Sequence, residues 1–523
     1  MATEVHIRAQ IIRAVNPASG EVLREIACAT SADVTEAVSR ARGAQPEWER
    51  TSLRHRLAVV EKFQRLLTER KQQVARVITS ESGKPYAEAL LTEILVVLDT
   101  ARFLRDQSYE FLREKPVPHG SLVTKTKRGR LVHEPYGVIG IISPWNYPFA
   151  IPATESLAAI VTGNAVVLKP SELTPLSALE LAALLREAGV PENVFQVLVG
   201  DGLTGAALAE SNIDKLIFTG SVATGKRIAQ TAAARLLPVV LELGGKDPMV
   251  VLDDADLDVA SSGAVWGAFV NAGQACLSVE RCYVHRKIYD SFTSLCAEKA
   301  KQLRIGNGMD PATDIGPLIY ERQLRTVEQH VEDARGQGGR VLTGGKRLPS
   351  LGPNFYSPTV LADVTHQMLV MREETFGPVL PIMPFDSDDE AIRLANDSEY
   401  GLAASVWTRD RSRGEKIARQ IKAGMVMVND AISCYGISEA PHGGIKASGI
   451  GRTHGKLGLE EMVRAKYLDV DLWPRIKKPW WYSYGAQMAN AAEGFLDFQF
   501  AGEMKRRLVG GIRSIPLISR RRS

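Results

Sequence analysis

Cysteine is scarce: 523 residues carry only Cys28, Cys276, Cys282, Cys296 and Cys434, without a C-x-x-C pair or Cys/His metal spacing. So odd and scattered a set excludes a disulfide framework, gives no metal-site pattern and fits a reducing compartment. No uncharged run approaches the ~20 residues of a membrane-crossing helix, and Met1 to Arg13 lacks the apolar stretch of a secretory leader. A cytoplasmic location is therefore expected. Net charge is small as well, 64 Lys/Arg against 60 Asp/Glu, which gives no case for a nucleic-acid partner. From Asp471 onward, however, ten basic residues face four acidic ones, so the basic excess belongs to a tail. Repeats and low-complexity segments are absent. What is present is an ordinary globular composition, 45% hydrophobic and 24% charged, with length for roughly three domains of ~150 residues.

Asn16-Pro17-Ala18-Ser19-Gly20-Glu21 reads as a turn between two short strands. Ser31 is expected to cap a helix to about Arg42. A long helical pattern follows from Leu53 to Thr79, with Leu57, Val60, Phe63, Leu67 and Val74 on its buried face. Ser82-Gly83-Lys84-Pro85 stops it, and a further helix runs from about Tyr86 to Phe111. Leu122 to Glu134 alternates around Lys127-Arg128-Gly129-Arg130 and predicts a β-hairpin arm. Short apolar strands then alternate with helices from Gly137 to Gly220, and again from Pro248 to about Val428. That order predicts parallel, doubly wound sheets.

Chemistry concentrates at a few places. Gly273-Gln274-Ala275-Cys276 offers a sharp turn presenting a thiol, although a lone cysteine is also a common core residue. Glu242 stands in Leu241-Glu242-Leu243-Gly244-Gly245-Lys246, where desolvation would raise its pKa toward the range that activates water; pairing with a lysine is the plainer alternative. Pro144-Trp145-Asn146-Tyr147-Pro148 could hold the Asn146 amide as a rigid donor to an oxyanion, or be an ordinary turn. Phe218-Thr219-Gly220-Ser221 leads through Gly225 into Lys226-Arg227, a strand, glycine turn and helix suited to phosphate. It falls short of a Walker A loop because Arg227 stands where the Mg²⁺-binding hydroxyl belongs. Lys169-Pro170-Ser171-Glu172 ends the preceding strand with a pair suited to a dinucleotide ribose, or with a solvated loop.

In this order the motifs, together with Glu374-Thr375-Phe376-Gly377-Pro378, closely resemble the aldehyde dehydrogenase superfamily over roughly Asn16 to Lys466. The resemblance implies an α/β fold: a Rossmann-like cofactor domain (1–116 and 136–246), an α/β catalytic domain (247–462), and a small β bridging or oligomerisation element (117–135 and 463–470). A basic aromatic extension (471–523) follows. It also implies NAD-dependent oxidation of an aldehyde to the acid. Cys276 forms the thiohemiacetal, Asn146 and the Cys276 backbone N–H form the oxyanion hole, and Glu242 activates the hydrolytic water. Ser143, Trp145, Lys169, Glu172, Gly220, Ser221, Gly225, Leu243, Glu374 and Phe376 hold the cofactor, and no metal is needed. Glu172 accepts ribose hydroxyls and repels a 2′-phosphate, which favours NAD over NADP. A CoA-acylating relative and a non-enzymatic scaffold are the alternatives; Glu242 and the filled catalytic positions argue against them.

Thr154 and Val270 stand where family members that oxidise carboxylate-bearing semialdehydes often have arginines, and Phe149, Ile151 and Trp266 are expected to line the pocket. Both features favour an apolar aldehyde. Pro441-His442-Gly443-Gly444 departs from the family's usual phenylalanine after proline. The resemblance further implies a homodimer or homotetramer. In the tail, Trp480-Trp481-Tyr482 precede Leu496, Phe500, Met504 and Leu508 at i, i+4 spacing beside Lys505-Arg506-Arg507, and Arg520-Arg521-Arg522 ends the chain. Such a tail suits docking on a neighbouring subunit or across the substrate entrance, peripheral contact with an anionic membrane, or disorder.

Overall fold

The computed structural model describes residues 10–478, 480–482 and 484–519. It divides into two units, one of residues 1–112 and 134–464, the other of 113–133 and 465–523.

The larger unit is built on two sheets. The first orders its strands 449–450, 239–243, 215–220, 138–142, 165–169 and 195–197, all parallel except Gly449–Ile450. The strand Val138–Ile142 is buried at every position. Such a continuous apolar run, rather than an alternating one, is what a sheet covered on both faces requires. Chain order reverses between strands 138–142 and 215–220, and ligands of doubly wound sheets bind at the carboxyl ends of the strands beside such a switch. The second sheet has seven strands, 340–343, 359–362, 379–385, 279–285, 247–251, 403–407 and 425–428, parallel but for the first pair. The expected second α/β stretch is this sheet with its helices.

Helices pack on the first sheet. The first runs Ser31–Arg50, across Pro46 and past the expected end, and Thr30 rather than Ser31 caps it in a capping box with Asp33. The next, Leu53–Ser82, stops where Gly83 takes φ 80°. The helix from Tyr86 to Leu112 contains a π-helical turn, Ala89–Ile94, that the apolar pattern did not reveal.

In the smaller unit the expected hairpin is a single strand. Lys127–Pro135 runs straight through Gly129, pairs antiparallel with Lys115–Val117, and lies next to Val463–Asp471 in a three-stranded sheet. Gly129 marks crowding and not a turn: a Cβ there would meet the Tyr467 hydroxyl at 2.7 Å and His119 Nε2 at 2.8 Å. The tail's expected i, i+4 stripe is also broken. Helices Ala486–Phe500 and Met504–Arg513 are separate, and they pack at two glycines. A Cβ on Gly494 would meet Gly510 O at 2.9 Å, and one on Gly510 would meet Gly494 O at 2.5 Å. Arg506 and Arg513 turn back onto Asp497 and Glu493, and Arg507 donates to Phe498 O. Basic charge is thereby spent within the pair while Phe500, Met504, Leu508 and Ile512 stay exposed. Arg520-Arg521-Arg522 lies outside the described residues, as do residues 1–9 of the segment read for a leader. No helix among the described residues is long and apolar enough to cross a membrane.

Candidate active site

A cavity of about 240 Å³ opens at the carboxyl ends of the first sheet. Cys276, Glu242 and Asn146 all line it, together with Trp145, Gly220, Ser221, Leu243, Glu374 and Phe376.

The Cys276 loop is held by unusual backbone. After helix Leu257–Phe269, Asn271, Ala272 and Gly273 take φ values of 52°, 55° and 74°. At Gly273 glycine is obligatory, since a Cβ would fall 2.1 Å from Gly377 O. Buried amides brace the loop: Gln274 accepts from Ile319 N–H (2.9 Å), and Asn271 Nδ2 donates to Asn146 O (3.0 Å) and Gln274 O (3.1 Å). Asn146 Nδ2 donates to Gln274 O at 3.1 Å, which spends one of its two N–H groups and leaves one for a ligand.

Asn146 is itself anchored from outside the sheet. Lys84 Nζ donates to Asn146 O (2.9 Å) and to Glu93 (2.5 Å), in an ion pair with no exposed side-chain surface. The other Glu93 oxygen accepts the Phe149 and Ala150 N–H groups, at 2.8 and 3.0 Å, where helix Ala150–Val161 starts. Glu93 lies in the π-helical turn. Neither residue stood out in the sequence, because nothing local distinguishes a lysine and a glutamate that meet only in three dimensions.

Glu242 is buried, neither carboxyl oxygen has a hydrogen-bond partner, and burial holds its pKa well above the ordinary range, with Glu155 adding to the rise. His442 Nε2 lies 3.8 Å from Glu242 Oε2, and the Arg452 cation offsets part of the rise. Burial also raises the Cys276 thiol, assisted by the nearby carboxylates Asp247, Glu374 and Glu242. Gly244 and Gly245 are needed for approach: Cβ atoms there would meet Glu374 Oε2 at 2.5 Å and Cys276 O at 2.7 Å.

Glu374 and Phe376 are set by a second buried pair. Lys246 Nζ contacts Glu280 at 2.5 Å, and Glu280 accepts from Thr375 N–H (3.0 Å) and Phe376 N–H (2.8 Å). Glu374 accepts from Gly245 N–H at 3.0 Å, and burial pushes its pKa up to about 8. The Phe376 ring meets Trp145 edge-on, centroids 5.3 Å apart.

Ser143, Lys169, Glu172 and Gly225 lie beside the cavity and not among its lining residues. Lys169 Nζ pairs with Glu172 at 3.1 Å, the lysine buried and the carboxylate half-exposed. Ser143 Oγ is buried without a partner. Ser221 caps helix Val222–Ala233, and Gly225 sits where that helix passes Leu243, a Cβ there falling 2.5 Å from Leu243 Cδ2. Strand, turn, capped helix and half-exposed carboxylate together fit a dinucleotide: phosphate at the helix start, ribose at Glu172. Among the described residues no cluster suits a metal ion. Of the expected pocket residues only Ile151 lines the cavity. Phe149 is wholly buried in the core, and Trp266 borders a different hollow beside Val270 and Phe269.

The model of the aldehyde dehydrogenase family matches residues 5–468. The chain belongs to that family. It is 43% identical to a protein of Mycolicibacterium smegmatis provisionally named succinate-semialdehyde dehydrogenase [NADP(+)], over 84% of this chain and 85% of the other. It is 39% identical to the 4,4'-diapolycopene aldehyde oxidase of a Methylomonas species, over 93% of this chain and 91% of the other, a match that reaches past residue 468 into the extension. Among solved structures, the NAD+ complex of a Bacillus cereus aldehyde dehydrogenase superposes with a TM-score of 0.84 at 37% identity, covering 88% of this chain and 94% of that one. Aldehyde dehydrogenases are oxidoreductases that use NAD(P), and the α/β fold with a Rossmann-like sheet is theirs.

Proposed function

We propose that this aldehyde dehydrogenase oxidises an uncharged, largely apolar aldehyde to its acid with NAD⁺. One observation carries the reading: a thiol, an unpartnered buried carboxyl and an amide with a spare N–H face one cavity. Cys276 Sγ attacks the carbonyl. The Asn146 amide, with the Cys276 backbone N–H, stabilises the resulting oxyanion, a contribution of the kind worth about 10²–10³ in rate for a single donor. A bound nicotinamide supplies the hydride acceptor, and Glu374 and Phe376 would hold its ribose and ring side. Glu242 takes the proton of the water that hydrolyses the thioester, which its desolvation equips it to do near neutral pH. Lys169 and Glu172 would hold the adenosine ribose, with Ser143, Trp145, Gly220, Ser221, Gly225 and Leu243 around the remainder.

Substrate polarity follows from the lining. None of the residues lining the cavity is lysine or arginine, its histidines are held neutral by burial, and Glu155 and Glu242 are both acidic. A substrate carboxylate finds no cation there. The relative named for a carotenoid aldehyde supports this; the relative named for succinate semialdehyde opposes it. NADH formation should be faster with hexanal than with succinic semialdehyde, and should vanish in Cys276→Ala and fall sharply in Glu242→Gln. A strong preference for succinic semialdehyde would refute the substrate assignment.

The strand Val463–Asp471 is exposed along most of its length, with Tyr467, Leu468 and Val470 outward. Such an edge suits pairing with a second copy, and light scattering showing only monomer would refute a dimer or tetramer. For the extension we infer peripheral membrane contact through Phe500, Met504, Leu508 and Ile512. Since Arg506, Arg507 and Arg513 are bonded within the helix pair, sedimentation with anionic liposomes should persist at high salt and be lost when residues 486–523 are removed.

A further inference from the structure

If the function above is right, each turnover must discharge protons from a closed site: aldehyde, water and oxidised nicotinamide give carboxylate, reduced nicotinamide and two protons. Over the whole cycle both come from water, because the Cys276 thiol that loses a proton on attack regains one when the acid leaves; the proton taken from the attacking water is delivered to Glu242. Glu242 is buried and has no hydrogen-bond partner of its own.

The cavity wall behind it is unusually rich in unpartnered polar atoms. His442 Nε2 lies 3.8 Å from Glu242 Oε2, and its Nδ1 is buried without a partner. The His442 ring centroid is 5.7 Å from that of His454, and both rings meet Tyr435 edge-on, at 5.0 and 4.9 Å. His454 Nε2 is likewise unpartnered, while Nδ1 lies 3.2 Å from Thr453 Oγ1. His454 has φ 57° and ψ 164°, a region essentially reserved for glycine. Strain of this kind persists only where the surroundings impose it, and here it holds an imidazole in the cavity wall.

Behind His454 is a second hollow of about 20 Å³, walled by Thr154, Glu155, Thr453, His454, Thr100 and Ser438, among others. That is room for one water with several polar partners. Ser438 Oγ lies 3.2 Å from Thr100 Oγ1, and Arg102 first, with Ser438 after it, holds the Asp99 carboxyl below its ordinary range. Asp99 is partly exposed and pairs with Arg102 at 2.8 Å.

We propose that His442, His454, Thr453, a water in the small hollow, Ser438 and Asp99 form a proton exit from Glu242 to solvent. Glu242 gives its proton to His442 Nε2, which releases one from Nδ1 through cavity water to His454 Nε2. His454 Nδ1 passes one to Thr453 Oγ1, and the hollow's water and Ser438 deliver it to Asp99. Each group takes one proton and loses one, so no net charge accumulates. Burial keeps both histidines neutral at rest, so each carries a second proton only in transit. The charged and titratable groups facing them are Glu155 from helix Ala150–Val161, Tyr435, Arg452 and Glu461.

The test is a single turnover of the full-length enzyme with NAD⁺ and limiting hexanal, following NADH absorbance and a pH-indicator dye together. In Ser438→Ala, NADH should form within about threefold of the wild-type rate; in His442→Phe and His454→Gly, which alter the cavity wall, the proton trace is read against each variant's own NADH trace. Release of the proton taken up by Glu242 should lag by about tenfold or more, within the range of general acid–base contributions. Added imidazole should restore it in His454→Gly, which also relieves the backbone strain, and Ser438→Ala guards against misfolding at the histidines. Proton and NADH traces that slow together, or a proton trace unchanged in all three, would overturn the exit while leaving the function intact. A wild-type enzyme that forms no NADH from any aldehyde overturns the function, and the exit with it.

Discussion

Lys84→Met tests whether Asn146, the proposed oxyanion donor, is held from outside the sheet. The substitution keeps most of the aliphatic volume and removes the ammonium that contacts Glu93, Asn146 O and the Tyr147 ring face, the last at 4.0 Å. Glu93 then keeps its two backbone donors but loses its Lys84 ion-pair partner in a fully buried setting. Breaking a buried pair from one side costs about 3–5 kcal/mol, mostly through the charge left behind. Glu93→Gln is milder, since the amide oxygen can still accept from Phe149 and Ala150 while Lys84 retains Asn146 O. The expectation for it is about 1–3 kcal/mol. Activity adds a second readout. With Asn146 O released, the turn that aims its amide relaxes, and a misplacement near 1 Å costs about 10²-fold. Urea unfolding, with kcat/KM measured on the fraction still folded, separates the two effects. The reasoning fails if Lys84→Met loses less than about 1 kcal/mol, or if its folded fraction keeps wild-type kcat/KM.

Three further outcomes follow. Glu172→Ser should raise kcat/KM for NADP⁺ relative to NAD⁺ by about tenfold or more, because the carboxylate that repels a 2′-phosphate is gone; an unchanged ratio in steady-state kinetics counts against its ribose role. Gly245→Ala places a Cβ 2.7 Å from Cys276 O and 2.8 Å from Asp247 Oδ1, so it should slow labelling of Cys276 by iodoacetamide and abolish activity. His330, His442 and His454 have pKa values lowered to about 4, 3 and 4 by burial. Depressed folded values mean their stabilisation is complete above the unfolded histidine value near 6.5 and is lost as pH falls toward 4. The thermal midpoint should therefore drop across that window, and less steeply in a His330→Gln variant.

Sheet strands were legible because a buried parallel strand is a continuous apolar run, and Val138–Ile142 admits little else. Ordered motifs at strand ends located Cys276, Glu242 and Asn146, and the fold brings all three to one cavity. Misreadings arose where one residue type serves two ends. Gly129 looked like a turn and instead accommodates Tyr467, while Phe149 and Trp266 looked like pocket walls and pack elsewhere. The pairs Lys84–Glu93 and Lys246–Glu280 escaped notice because their meaning lies in what they touch across the fold. His442 was visible only as a departure after Pro441. Its neighbour His454 gave no signal at all, since a strained backbone leaves no mark in composition.

The π-helical turn at Ala89–Ile94 has a consequence for anyone dissecting this enzyme. It lies before the first strand of the cofactor sheet, and yet through Glu93 it holds the start of the helix that follows the Asn146 turn. A fragment starting at that strand would retain every motif residue by which the family is recognised and still lack the clamp on the Asn146 turn. Minimal versions, split reporters and permuted chains of this protein must therefore carry the leading helices intact, or supply them in trans.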